Sequence, residues 1–231
     1  MQVTDCNTDR CFLCQSCIPA WKEVIAVKKE TRAFKKGEII FREGDAVQGI
    51  YFLNEGAVKV HQFWEEQKEL IVRFATTGDV IGLRGIGADS VYPVSATALD
   101  DTKACFITND FYEASLQANH SLTYKMMQLY ATELQQAELR MRNLAHMEVK
   151  GRIAVALLDL KKVFGINKDK YISLPITRQD IASYAGTTYE TVFKFFVELT
   201  AEKVIATSGK SIKIAKESAL QQYIKTPKRQ G

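Results

Sequence analysis

Apolar residues follow two rhythms along the 231-residue chain. In the first half they come as short runs: Glu38-Ile39-Ile40-Phe41, Gly49-Ile50-Tyr51-Phe52-Leu53, Ala57-Val58-Lys59-Val60-His61 and Leu70-Ile71-Val72-Arg73-Phe74. Gly37, Gly44, Gly56, Gly78 and Gly82 punctuate them. Runs this short and this closely spaced predict antiparallel strands in a sandwich or barrel. From about Ser115 the rhythm becomes helical. No Gly or Pro interrupts His120 to Lys150, which predicts one long helix. Along it Met127, Tyr130, Leu134, Ala137, Met141 and Leu144 recur at alternating spacings of three and four. That is a narrow seam of the coiled-coil kind. It can pack on its own domain or on a second copy, and the polar flanks (Glu133, Gln135, Gln136, Glu138, Arg140, Arg142) favour the second copy.

The last third mixes both periods. Arg152 to Phe164 is apolar at helical spacing, and Tyr171 to Ile176 alternates like a strand. Thr177-Arg178-Gln179-Asp180 has the form of a capping box, with Asp at its fourth position. The short helix it starts should stop at Gly186. Thr188 then caps a second helix running to about Lys203. Val204–Thr207 and Ser211–Ile214 flank Ser208-Gly209-Lys210 as a short hairpin. Helix, tight turn, helix and hairpin make a winged helix-turn-helix. In the second helix Val192, Phe195, Phe196 and Leu199 take the inward face. Tyr189, Glu190, Phe193, Lys194 and Val197 are left on the outer one.

In such a unit the second helix enters the major groove. Glu190 can accept from a cytosine amine, Lys194 can donate to guanine, and Phe193 can rest on a thymine methyl. Thr177, Arg178 and Gln179 open the first helix, where backbone N–H groups favour phosphate, and Thr188 opens the second. Lys210 at the hairpin tip adds a further phosphate contact. The competing reading is a small helical protein-interaction domain.

Charge changes the balance between these readings. Residues 150–231 carry 15 Lys and Arg against 7 Asp and Glu, while residues 1–149 carry 16 against 20. A basic back half of +8 behind a front half of −4 points the back half at a polyanion, double-stranded DNA. The longest fully apolar run, Ile153 to Leu158, is far short of the roughly 18 residues a membrane helix needs. The first residues do not read as a secretory signal, so a cytoplasmic protein that meets no membrane is expected. No phosphate-binding glycine loop, H-E-x-x-H or nucleophile elbow is present, and an enzyme is not expected. Four of the five cysteines, Cys6, Cys11, Cys14 and Cys17, crowd the first residues, and Cys105 stands alone. In a reducing compartment such clustering points to metal or redox chemistry over disulfides.

Two stretches carry a family resemblance. Lys36-Gly37-Glu38-Ile39-Ile40-Phe41 through Gly44-Asp45, Ile50-Tyr51-Phe52-Leu53 and Gly56-Ala57-Val58-Lys59-Val60 is similar to the sensory β-roll of the Crp/Fnr regulators. Ile176-Thr177-Arg178-Gln179-Asp180-Ile181 through Gly186 and Glu190-Thr191-Val192 is similar to their DNA-binding module. The resemblance covers the chain after residue 20. It implies an α+β architecture: an N-terminal double-stranded β-helix or jelly-roll sensor domain of the cyclic-nucleotide-binding kind, a long dimerisation helix and a C-terminal winged helix-turn-helix. The corresponding segments are a Cys-rich arm at 1–20, the roll at 21–117, the dimer helix at 118–146, the DNA-binding domain at 147–224 and a tail at 225–231. It also implies a homodimer that recruits or blocks RNA polymerase at a two-fold symmetric site.

Within the family, cyclic-AMP binders surround the phosphate with an Arg-Ser pair and a Glu. The matching positions here are Val94-Ser95 and Gly82-Leu83-Arg84-Gly85, which lack the Arg and the Glu. A buried anion without its Arg is costly to desolvate. The chain resembles instead the iron-sulfur oxygen-sensing branch, which uses three N-terminal cysteines and one in the roll. Cys11-x-x-Cys14-x-x-Cys17 has the spacing of bacterial ferredoxin [4Fe–4S] sites, followed by Ile18-Pro19, and Cys105 is the roll cysteine. The implied ligands are Cys11, Cys14, Cys17 and Cys105. The last arm spacing is shorter than that branch's pattern, which leaves open whether Cys6 replaces one of the three. Four thiolates also suit Zn²⁺. Thiol-based sensing without a metal competes with both, as does a haem held by His61, His120 or His146.

Overall fold

The computed structural model describes residues 11–64, 68–86 and 89–224. Cys6 and the expected tail at 225–231 lie outside the described residues. The chain divides into two compact units, one formed by the chain up to Gln62 with Val72–Leu134, the other by Phe63–Ile71 with the chain from Gln135 onward.

The first unit begins with helices α1 (Phe12–Ser16) and α2 (Pro19–Lys28). Pro19 stands at the first helical position of α2, where its missing N–H costs nothing. Strands β1 (Glu30–Phe34), β2 (Ile39–Phe41), β3 (Gly49–Glu55), β4 (Ala57–Phe63), β5 (Glu69–Thr76), β6 (Val80–Ile81), β7 (Ser95–Ala98) and β8 (Thr102–Thr108) follow, and then helix α3 (Asn109–Ala118). The strands form two four-stranded sheets, ordered β1-β8-β3-β6 and β2-β7-β4-β5. Tyr51, Leu53, Ala104 and Phe106 of the first sheet share one core with Phe41, Val58, Val60 and Ala96 of the second, which makes the roll. Gly56 turns the chain from β3 to β4 at φ +92°. A Cβ there would meet Asp101 O at 2.5 Å and Thr102 Cα at 2.7 Å, so only glycine fits.

The central strands of the first sheet, β3 and β8, are buried on both faces. Side chains alternate across a strand. While Tyr51 and Phe106 point into the roll, Ile50, Phe52, Cys105 and Ile107 enter a second core with Leu13, Ile25, Tyr112, Leu122 and Met126. The arm helices therefore cover the back of the sensor sheet. Leu13 is 0% exposed; burying a side chain of this kind contributes about 1.5–3 kcal/mol.

Helix α4 (His120–His146) carries the seam and ends short of Lys150. Met147 and Glu148 break it before α5 (Val149–Phe164). The second unit continues with α6 (Arg178–Ala185), α7 (Tyr189–Ala201), β9 (Ile205–Ser208), β10 (Ser211–Ile214) and α8 (Glu217–Ile224). Helix α7 stops before Lys203, which adopts a left-handed φ of 56°. The strand expected over Tyr171–Ile176 does not form. Its alternation is real, but its pairing amounts to an isolated bridge between Ile166 and Ile172, and the Ile172 N–H instead donates to Ile212 O of β10 at 2.8 Å. Among the described residues no helix is long and apolar enough to cross a membrane.

Candidate DNA interface and cysteine-lined core

Two threonines set the start of the two helices. Thr177 Oγ1 accepts the Asp180 backbone N–H at 3.0 Å and donates to the Asp180 carboxylate. The box thus closes hydroxyl to carboxylate, and the Thr177 proton is committed within the protein. Thr188 Oγ1 accepts the Thr191 N–H at 3.3 Å and starts α7. Between them Gly186 takes φ +61° and ends α6. Arg152, by its spacing one more residue of an apolar helix, locks this turn with its guanidinium. Nε donates to Ala185 O at 2.8 Å, and the terminal nitrogens donate to Met147 O at 2.8 Å and Gly186 O at 3.1 Å. These carbonyls lie at helix ends, where orphan acceptors need partners. Only the tertiary arrangement brings them to one side chain.

Val192, Phe195, Phe196 and Leu199 are buried, as their spacing predicted, and Tyr189, Glu190, Phe193, Lys194 and Val197 are exposed. Thr177, Arg178, Gln179, Tyr189, Thr207 and Lys210 line one groove between the start of α6, helix α7 and the β9–β10 hairpin. Glu190 and Lys194 stand on the exposed face of α7 and Thr188 at its start. The Arg178 guanidinium lies 5.9 Å from the Phe193 ring centre and 5.6 Å from that of Phe196. Its Nε is buried with no hydrogen-bond partner among the described residues.

The seam of α4 is open to solvent in the single chain. Met127, Leu134 and Met141 are 64%, 61% and 66% exposed, and Ala137 and Leu144 are exposed too. Tyr130 differs, because its hydroxyl donates to Leu83 O at 3.1 Å and ties it to its own roll. One turn on, Glu133 receives both Arg73 and Arg84. Val94 is buried, and Ser95 Oγ accepts the Glu43 N–H at 2.9 Å. The two arginines near this part of the roll thus share the single Glu133 carboxylate. Of the histidines, His61 is buried with Nε2 2.9 Å from Thr97 Oγ1, and His120 and His146 are exposed.

Cys11, Cys14, Cys17 and Cys105 are all buried and belong to one core. Cys105 faces Phe52 across the β3–β8 ladder, and the Phe12 ring stacks 6.4 Å from the Phe52 ring. The face of the sheet that holds Cys105 is thus the one the arm covers. Asn54 Nδ2 donates to Cys105 Sγ at 3.2 Å. Burial pushes the Cys17 thiol up to about 11, against smaller lowering effects of the Asn119 side chain and Lys22. The Trp21 indole N–H donates to Ser115 Oγ at 3.1 Å, and its ring stacks on Phe111. Among the described residues no three His, Cys, Asp or Glu side chains are gathered closely enough to hold a metal ion.

Fold and site together define a winged helix-turn-helix regulator with a β-roll sensor domain. Residues 31–119 match the cyclic nucleotide-binding domain family and residues 151–223 the Crp-like helix-turn-helix domain family. The chain belongs to the Crp/Fnr family of DNA-binding transcriptional regulators. It is 29% identical over 216 residues to the transcriptional activator protein Anr of Pseudomonas protegens, covering 88% of this chain and 86% of that one. It is 26% identical over 220 residues to the fumarate and nitrate reduction regulatory protein of Escherichia coli K12, covering 92% and 88%. FixK2 from Bradyrhizobium japonicum shares the fold, with a TM-score of 0.76 at 24% identity over 86% of this chain and 98% of that one.

Proposed function

We propose that the protein works as a homodimer on a two-fold symmetric DNA site, where it recruits or blocks RNA polymerase, and that it responds to oxygen, nitric oxide or another oxidant. In this reading Cys11, Cys14, Cys17 and Cys105 hold a [4Fe–4S] cluster. The observation that carries it is the placement of Cys105 on the arm-facing side of the sheet, in the same core as the three arm cysteines. The donor set fits in kind, since four thiols belong to one apolar core, although among the described residues they do not converge into a cage. When bound, the cluster supplies oxidant-sensitive iron–thiolate chemistry. Thiol-based sensing without a metal is disfavoured, because sensor cysteines are solvent-accessible and these four are buried.

The chain's own residues then do the rest. Ser115 and Asn119 hold the arm against the α3–α4 junction, so a change at the arm is felt where α4 begins. The exposed seam of α4 pairs two copies. Two recognition helices must stand about 34 Å apart to enter successive major grooves, which makes binding sensitive to how the α4 helices pair.

Anaerobic reconstitution followed by visible spectroscopy and iron and sulfide assay tests the sensor reading. Cys105→Ser should lose the iron-dependent absorption and Cys6→Ser should keep it. The reverse pattern moves the fourth ligand into the arm. Zinc without iron in every preparation overturns the redox reading and leaves the DNA-binding regulator intact.

A further inference from the structure

We propose that Phe193 is a base-reading residue of the recognition helix and that the group it reads is the 5-methyl of thymine. The proposal rests on α7 being the helix that enters DNA, and its test keeps the two apart.

Tyr189, Phe193 and Val197 are 41%, 47% and 56% exposed. Spaced by four, they form one line along α7, on the face away from the core that Val192, Phe195, Phe196 and Leu199 fill. Phenylalanine has no polar side-chain atom, so leaving its apolar surface in water is unfavourable. Against a base edge it satisfies no donor or acceptor. The one apolar group that the major groove offers is the thymine methyl. A ring pressed on any other base edge there strands polar groups without partners. Phe193 therefore selects by burying a methyl and by penalising the alternatives.

The ring is held in advance. Tyr189 stacks on it with centres 6.4 Å apart and planes 20° from parallel. The Arg178 guanidinium also stands over it at 5.9 Å and is itself 5.6 Å from the buried Phe196 ring, which ties it to the core. A side chain immobilised before binding loses little rotamer freedom on binding. The setting is cationic as well. Lys194 follows Phe193 directly, and Arg178 and Lys210 share the adjoining groove. An apolar ridge framed by cations suits a methyl carried on a polyanion, and it does not suit an apolar protein surface. Glu190 lies one turn before Phe193, so each half-site should place a cytosine amine and a thymine methyl within the same few base pairs.

The test uses the site that wild-type protein enriches from random double-stranded DNA. Each thymine is replaced in turn by deoxyuridine, which removes the methyl and leaves the hydrogen-bonding edge unchanged. One symmetry-related pair should weaken wild-type binding by about fourfold per half-site, the worth of one buried methyl. Phe193→Ser should lose that sensitivity and the thymine preference, and Phe193→Leu should keep part of both. The side chain is exposed, and an unchanged melting temperature checks that both variants fold. Deoxyuridine effects below twofold at every thymine overturn the proposal, as does full sensitivity in Phe193→Ser. Phe193→Ser with wild-type site selection also overturns it and assigns the ridge to a protein partner. A wild-type chain that enriches no site overturns the DNA reading of α7 as well.

Discussion

Asn119 binds Ile18 across the sensor unit: its side-chain Oδ1 accepts the Ile18 backbone N–H at 3.4 Å and the Leu122 backbone N–H at 3.1 Å. One buried carboxamide oxygen caps the start of α4 and holds the chain just after Cys17. The residue is 0% exposed.

Asn119→Leu removes the one oxygen that accepts both N–H groups, at similar volume. Losing an N-cap costs about 0.5–2 kcal/mol, and the stranded Ile18 N–H adds about 1 kcal/mol more. The expected result is a lower melting temperature together with faster hydrogen exchange at arm amides. Asn119→Asp, which keeps the acceptor, should hold the arm far better. Equal arm protection in Asn119→Leu and wild type would show that Trp21 and the cysteines hold the arm without it.

Arg152→Ala should destabilise the second unit by about 2–4 kcal/mol, because three carbonyl acceptors lose a charged donor. Its effect on DNA should be uniform across sequences, since the turn between α6 and α7 positions the helix and reads no base. Arg152→Lys recovers little, as an ammonium cannot span the same fork. Thermal melts and binding to two unrelated sites check this, and a changed base preference would contradict it.

Glu190→Ala should cost about 1–3 kcal/mol on the preferred site and relax one base position. Lys210→Ala should weaken all sequences alike and reduce the salt slope by about 1, the mark of one lost phosphate contact. Titrations over a range of salt concentrations separate the two behaviours.

The seam of α4 contains no charge at Met127, Tyr130, Leu134, Ala137, Met141 and Leu144, and most of its apolar surface is open in the single chain. The metal-free protein should therefore stay largely dimeric at micromolar concentration. Ala137→Asp sets two like charges against each other at the pair axis and should shift sedimentation toward monomer. A wild-type apo monomer would refute this.

Much of the architecture was legible because it is local. The Thr177 and Thr188 caps, the Gly186 stop and the buried face of α7 each depend on residues within one or two turns, and patterns of that range are written in the sequence. The expected strand at Tyr171–Ile176 failed for the complementary reason. Alternation describes a segment able to pair, but among the described residues this one makes a single bridge to Ile166 and a single hydrogen bond from Ile172 to Ile212 of β10, too few for a ladder. Helix α4 ended at His146 although no Gly or Pro required it, and Arg152 takes the freed Met147 carbonyl.

Of the implied ligands, the sequence by itself determined that Cys11, Cys14 and Cys17 sit close together in an arm and that a fourth, Cys105, sits in a strand of the roll. Only the tertiary structure decided that the fourth faces the arm. A strand side chain has two faces to choose from, and the β3–β8 register sets Cys105 opposite Phe52, on whose ring Phe12 stacks. A slip of one residue would have turned that thiol into the roll and away from the arm. The same holds for Arg178 and Phe193, separated along the chain by a whole helix and a turn. Their types were readable in advance, but their meeting required α6 and α7 to be packed against one core.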